Sequence, residues 1–191
     1  MLNRLGICGL ALLAAVTLAG CGSEAEPKAD PKPSATAKPT EPPGLDKAGP
    51  KRPEKQSDSP ESALEFGKYF AKLVQYAIEV RNSRVLYAEA FNQPGCTNCT
   101  TVAKLISELK RTGYWQRSDP IELGAFRAVA LKGGYRVNGS FVYPEVEDVR
   151  VDNEVVETVP AEPYRYWVDL RFDETKKTWQ VLDYIYGKKK G

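Results

Sequence analysis

From residue 60 onward apolar positions recur at intervals of three and four: Ala63, Phe66, Phe70, Leu73, Ala77 and Val80, flanked by Leu64, Tyr69, Val74, Tyr76 and Ile78. That spacing predicts a long amphipathic helix whose apolar stripe is broad enough to need a wide partner surface. Ser59-Pro60-Glu61 supplies its start, with a hydroxyl to cap free N–H groups, a proline where no N–H is needed and a carboxylate at the positive end of the dipole. Arg81-Asn82-Ser83 interrupts the pattern, 84–91 reads as a second short helix and 92–98 as a loop. Thr101, Val102, Leu105, Ile106 and Leu109 then mark a third helix that closes near Gly113.

Beyond Gly113 the period changes to two. Segment 121–131 mixes β-branched and aromatic residues, and 135–143 holds Asn138-Gly139 between two alternating runs, which predicts a hairpin turn at that dipeptide. Segment 146–159 reads as a strand pair or one long bent strand. Segments 164–172 and 178–186 read as strands joined by the polar loop 173–177. Three helices followed by an antiparallel meander predict an α+β fold with the helices on one face of the sheet.

The N-terminal third follows different rules. An apolar run after Arg4 ends in Leu18-Ala19-Gly20-Cys21, the pattern of a lipoprotein signal peptide over residues 1–20 with Cys21 as the lipidated residue. The run is shorter than the ~20 residues a spanning helix needs. These residues predict a chain anchored by lipid at the outer face of the cytoplasmic membrane. Between Gly22 and Pro60 lie nine of the fourteen prolines, no aromatic residue and only Leu45 as a large aliphatic, so this stretch cannot bury enough surface to offset its chain entropy. Residues 21–57 therefore read as anchor and tether, 58–187 as one folded domain and 188–191 as a basic tail. The seven basic and seven acidic residues from Gly22 to Pro60 cancel, leaving stiffness to the prolines, and the reach of this stretch falls between ~35 Å as a coil and ~115 Å as polyproline helix. Ser34, Thr36 and Thr40 could carry sugars in such a stalk.

A formal net charge of +2, with Lys188-Lys189-Lys190 as the one like-charged block, lacks the concentrated basic face that nucleic acid requires. The chain contains no histidine, which removes the side chain that titrates nearest neutrality and the usual ligand of catalytic zinc or copper. No metal and no cofactor are implied by what remains.

Two constellations could carry chemistry. Cys96-Thr97-Asn98-Cys99 opens the third helix, where the dipole stabilises a thiolate, so a thiol oxidoreductase has a mechanism. Outside the membrane the same pair forms a structural disulfide, worth about 2 kcal/mol for so small a ring. A redox pair normally follows a strand, whereas this one follows a helix and a loop. In the last strand, alternation puts Trp179, Val181, Asp183 and Ile185 on one face. If that face is the core, Asp183 is a carboxylate among apolar groups, fit for general acid or base work with Tyr164, Tyr166 and Arg165 or Arg171 to orient it. The alternative is an Asp183 paired with an arginine at the sheet rim, with Gln180, Leu182, Tyr184 and Tyr186 facing inward.

Taken in order, the Cys21 lipobox, the Pro-rich spacer, Ser59-Pro60-Glu61 leading into Phe66 and Tyr76, Cys96-Thr97-Asn98-Cys99 and a terminal Trp179-Gln180-Val181 strand resemble a family of actinobacterial lipoproteins whose domain has no assigned function. The domain, over about residues 58–186, resembles the NTF2-like or SnoaL-like cone. The resemblance implies a single curved antiparallel sheet wrapped on the first helix around a conical cavity, with Tyr69, Tyr76, Trp179 and Asp183 as the residues to line it. Enzymatic members of that superfamily place a His with an Asp, or a Tyr with an Asp, in the cone, and this chain has no histidine. The expectation is a tethered, non-catalytic module that binds a small apolar ligand or an envelope protein; the rival is a cofactor-free isomerase or hydratase using Asp183.

Overall fold

The computed structural model describes residues 48–89, 96–150 and 152–188. The signal peptide, Cys21, most of the tether, the loop 90–95 and the last three residues lie outside the described residues. Helix α1 (Pro60–Glu79) starts as its sequence dictates: Ser59 is extended and its hydroxyl accepts from the Ser62 N–H at 3.2 Å. Helix α2 (Arg84–Glu89) is short, and α3 (Thr97–Thr112) ends on Gly113 in the left-handed conformation, φ 77°. Seven strands follow, β1 (Trp115–Ser118), β2 (Glu122–Leu131), β3 (Gly134–Tyr143), β4 (Val146–Val149), β5 (Val155–Val159), β6 (Glu162–Asp173) and β7 (Thr178–Lys188).

These strands overturn the expected layout of three helices on one curved sheet. They form two antiparallel sheets, a small one in the order β1-β4-β5 and a larger one in the order β2-β3-β6-β7. The chain crosses between them three times, and Pro120, Pro144 and Pro160 each stand at a crossing. A proline has no N–H to give a ladder, so each one stops its strand and lets the next begin in the other sheet. A cone needs a single sheet that curls without interruption, and the three prolines prevent that. α1 packs across β1, β2, β3 and β6, α3 reaches α1 and β7, and α2 touches α1.

The hairpin turn expected at Asn138-Gly139 is also corrected. Both residues sit in the middle of β3, paired to β2 on one side and β6 on the other, and the turn lies at Lys132-Gly133, with Gly133 at φ 81°. Asn-Gly favours a tight turn, but here two flanking strands supply a partner for each backbone group, which outweighs the local preference. Gly139 has a packing reason of its own: a Cβ there would lie 2.7 Å from the Phe126 ring.

The core lies between α1 and the large sheet. Phe66, Phe70, Leu73, Ala77 and Ile78 face Val137, Val168, Leu170, Trp179, Val181 and Tyr184. The closest approach is at Gly67, where an added Cβ would meet Val137 Cγ1 at 2.7 Å, and the Gly67 carbonyl accepts from the Tyr166 hydroxyl at 3.2 Å. Buried Gln75 joins the same helix to the first crossing. Its Nε2 faces Ser118 Oγ at 2.9 Å, the Asp119 carbonyl at 2.7 Å and Glu79 Oε1 at 3.1 Å, while its Oε1 accepts from the Ile121 N–H at 2.9 Å. The last residues of the expected tether are part of this assembly. Gly49 lies against the Tyr76 ring, and Gln56 Oε1 accepts from the Trp179 N–H at 3.0 Å and from Thr178 Oγ1 at 3.1 Å.

Replacing Gln75 with leucine strands the buried Ile121 N–H and removes the amide's bonds to Ser118 and the Asp119 carbonyl, and an unmet buried group costs ~1–3 kcal/mol. Gln75→Leu is expected to lower stability by about 2–3 kcal/mol in urea unfolding; a change below half that would mean that water replaces the amide.

Candidate functional site

The interior of the expected cone is filled. Between α1 and the large sheet the remaining cavity, bounded by Val74, Gln75, Phe141, Tyr166 and Tyr184, is about 10 Å³, no more than a single water needs. Tyr69 is buried beside Phe66, ring centroids 5.7 Å apart. Tyr76 is half-buried and covered by Gly49. Trp179 is 1 % exposed, edge-on to Phe172 and Tyr135, and its indole N–H donates to Ser62 Oγ at 3.0 Å. All three are packing residues in this fold, and the structure does not bring them together around a common space.

Asp183 leaves the core face because β7 carries a bulge. Val181 pairs with Leu170 but Asp183 with Asp169, so Leu182 is an extra residue and the alternation shifts by one. Tyr184 takes the inward position that strict alternation assigned to Asp183. The carboxylate sits instead where β7, the edge strand of the large sheet, meets the start of α3. Its Oδ1 accepts from the Tyr184 N–H at 2.9 Å and from Asn98 Nδ2 at 3.4 Å, and lies 3.5 Å from Cys96 Sγ. A negative charge at the positive end of α3 is a favourable structural arrangement. Neither Tyr164 nor Tyr166 meets it: Tyr166 points at Gly67, and Tyr164 stacks on Phe141 at 5.7 Å. Arg171 donates to Gln180 across the same pair of strands.

Cys96 and Cys99 form a disulfide, and Cys96 Sγ also accepts from the Cys99 N–H at 3.2 Å as the cap of α3. Both residues are buried, 3 % and 4 % exposed. Thiol–disulfide exchange needs access to a sulfur, so this bridge is built to hold the helix start rather than to turn over.

Among the described residues a space large enough for a ligand lies elsewhere, in a cleft of about 180 Å³ between the two sheets. Pro144 and Pro160, at the second and third crossings, stand at its rim with Val146 and Val159, and Tyr143, Tyr164 and Tyr186 form its back wall. β5 borders it as the free edge of the small sheet, with Val155 and Val156 40 % and 44 % exposed. The surrounding segment is acidic, with seven Asp and Glu residues and one arginine from Glu145 to Glu162, of which Glu147 pairs with Arg117 and Glu162 with Lys188. Sequence reading missed this segment because charge counted over the whole domain averages to near zero; a window of strand-pair length finds it.

Tyr143 and Tyr186 at the cleft, and Tyr166 and Tyr184 in the core beneath it, are held neutral by burial. Desolvation pushes the phenols of Tyr143, Tyr166, Tyr184 and Tyr186 above the ordinary tyrosine range, Tyr166 furthest out of reach of solvent. They supply apolar area and ring stacking, not a base. Among the described residues no group of His, Cys, Asp and Glu is placed to hold a metal.

No protein-family model and no curated protein matches the chain. Two solved structures are similar in outline. The intermembrane space region of chloroplast protein ARC6 aligns with 69 % of this chain and 98 % of its own, at 10 % identity and a TM-score of 0.46. A de novo designed β-sheet protein aligns with 62 % of this chain and 81 % of its own, at 12 % identity and a TM-score of 0.28. Neither likeness is close enough to inform function.

Because these phenols have raised pKa values in the folded state, their contribution to stability is fully present below the ordinary tyrosine pKa of ~10 and is lost as pH rises above it. Stability is expected to fall above about pH 10, by roughly 1.4 kcal/mol per pH unit for each buried phenol. In an alkaline titration the last four of the ten tyrosines should ionise only together with the loss of circular dichroism; all ten ionising in the intact fold would contradict the burial.

Proposed function

We propose that the chain is a non-catalytic protein-binding module held at the outer face of the cytoplasmic membrane by a lipid on Cys21, and that the cleft between its two sheets takes an extended segment of an envelope protein. The observation that carries this reading is the position of a free edge strand beside an apolar cleft. Among the described residues β5 has a strand partner on one side only, and it carries two exposed valines; a partner strand laid along its other side would place alternate side chains against Val159, Pro160 and Tyr164. The charge of segment 145–162 selects the partner's chemistry. A second copy would set acidic strand against acidic strand, with Glu154 and Glu157 opposed to their own kind, whereas a basic segment is matched. A cofactor-free isomerase has less support: Asp183 lies on the sheet edge and lines none of the described cavities.

Two experiments test the reading. Cys21→Ala in the full chain is expected to move the protein out of the membrane fraction and abolish incorporation of a fatty-acid analogue; an unchanged distribution would remove the anchor from the proposal. A photo-crosslinker at Val156 is expected to capture a protein partner in intact cells, with the crosslink lost on Val155→Lys and absent from a crosslinker at Thr175 in the β6–β7 turn. Equal capture at both positions, or none at Val156, would overturn docking at β5.

A further inference from the structure

The outer face of the large sheet carries a second open surface, away from the cleft. α1 covers the inner face, and outward positions of β2, β3 and β6 form cross-strand rows: Arg127, Asn138 and Trp167 in one, Ser140 and Arg165 in the next. Arg127, Asn138, Ser140, Arg165 and Trp167 surround an open trough of about 530 Å³ on that face. Its floor is low where β2 bulges between Leu123 and Phe126 and where Gly124, beside Ser140, raises no side chain.

The arginines around this sheet divide into two kinds. Arg136 is committed, with Nε and Nη2 on the two carboxylate oxygens of Asp169 at 2.6 and 2.7 Å, and its guanidinium lies over the Trp167 ring at 4.4 Å. That stacking pins the indole as a fixed wall. Arg171 is bonded to Gln180. Arg127 and Arg165 are exposed and, among the described residues, have no carboxylate or hydrogen-bond partner. By strand geometry their Cα atoms lie about 12 Å apart, two strands across and two residues along, on opposite sides of the trough.

We infer that this trough binds an acidic polysaccharide, a chain of carboxylate-bearing sugars lying diagonally across β2, β3 and β6. Each part of the surface matches one feature of such a ligand. The two free guanidiniums present planar forks to carboxylates on successive repeats. The Asn138 amide and the Ser140 hydroxyl face the ring hydroxyls, and the fixed indole of Trp167 offers an apolar surface to a pyranose. An acidic peptide is a poorer match, since it would seek pockets for its side chains and the trough is shallow and open.

The test is direct binding of oligogalacturonate to the full chain in detergent micelles, followed by tryptophan fluorescence. Trp115 and Trp179 are buried, so a ligand on the surface reports through Trp167. Saturable quenching by oligogalacturonate and none by a neutral dextran oligosaccharide are expected. Arg127→Gln with Arg165→Gln should weaken binding about tenfold or more and each single variant by several-fold, while Arg171→Gln, which removes one charge outside the trough, should stay within about twofold. Unchanged affinity in the double variant with its circular dichroism melt intact would overturn the site. So would polyglutamate or polyphosphate binding as tightly as the uronate, which would reduce the surface to a general cationic patch. Neither arginine borders the cleft, so this result and the crosslinking at Val156 stand or fall separately.

Discussion

One amide, that of Gln75, determines where the β region divides. It lies in the second half of α1 and holds the backbone on both sides of Pro120, accepting from the Ile121 N–H and donating toward the Asp119 carbonyl. Where the crossing re-enters the core at Ile121 there is no ladder to satisfy its N–H, and an unsatisfied group there is costly, so a side chain supplies the missing bond. With the first crossing attached to the helix, β1 stays beside the C-terminal half of α1 and β2 begins the larger sheet. The second and third crossings, at Pro144 and Pro160, return the chain to each sheet in turn. The cleft is the gap left where these crossings pass.

The same helix then decides what the interior can hold. Gly67 lets the backbone of α1 sit directly on Val137, and that approach is closer than any residue with a Cβ allows. The helix therefore lies low on the large sheet. Aromatic side chains from β3, β6 and β7 fill the remainder, with Tyr166 bonded back to the helix at Gly67 and Tyr184 edge-on to Phe70 at 5.3 Å. A layer packed this closely leaves no room for a ligand between α1 and the large sheet, and the open spaces lie at the edges and outer faces. The disulfide and Asp183 belong to the same structural economy: both stabilise the start of α3 where it meets β7.

The charge distribution agrees with that outward shift. Segment 145–162 concentrates acid on the small sheet, while the outer face of the large sheet carries Arg127, Arg136, Arg165 and Arg171. A chain whose overall charge is close to zero thus presents two surfaces of opposite sign, which favours two partners of different chemistry over one enclosed substrate.

Local signals were legible in the sequence where local physics decides. The start of α1 at Ser59-Pro60, its apolar stripe, the end of α3 at Gly113, the strand character of 164–172 and 178–186 and the pairing of Cys96 with Cys99 all follow from caps, periodicity and a short covalent ring. What the tertiary structure alone decided was set by partners distant in sequence. Asn138-Gly139 is strand rather than turn because β2 and β6 flank it, and Asp183 faces the sheet edge because one bulged residue, Leu182, shifts the alternation behind it. The division into two sheets was written at Pro120, Pro144 and Pro160, yet a proline says only that a strand must end. Which sheet receives the next strand depends on Gln75 and α1, more than forty residues away, and periodicity carries no information about contacts at that distance.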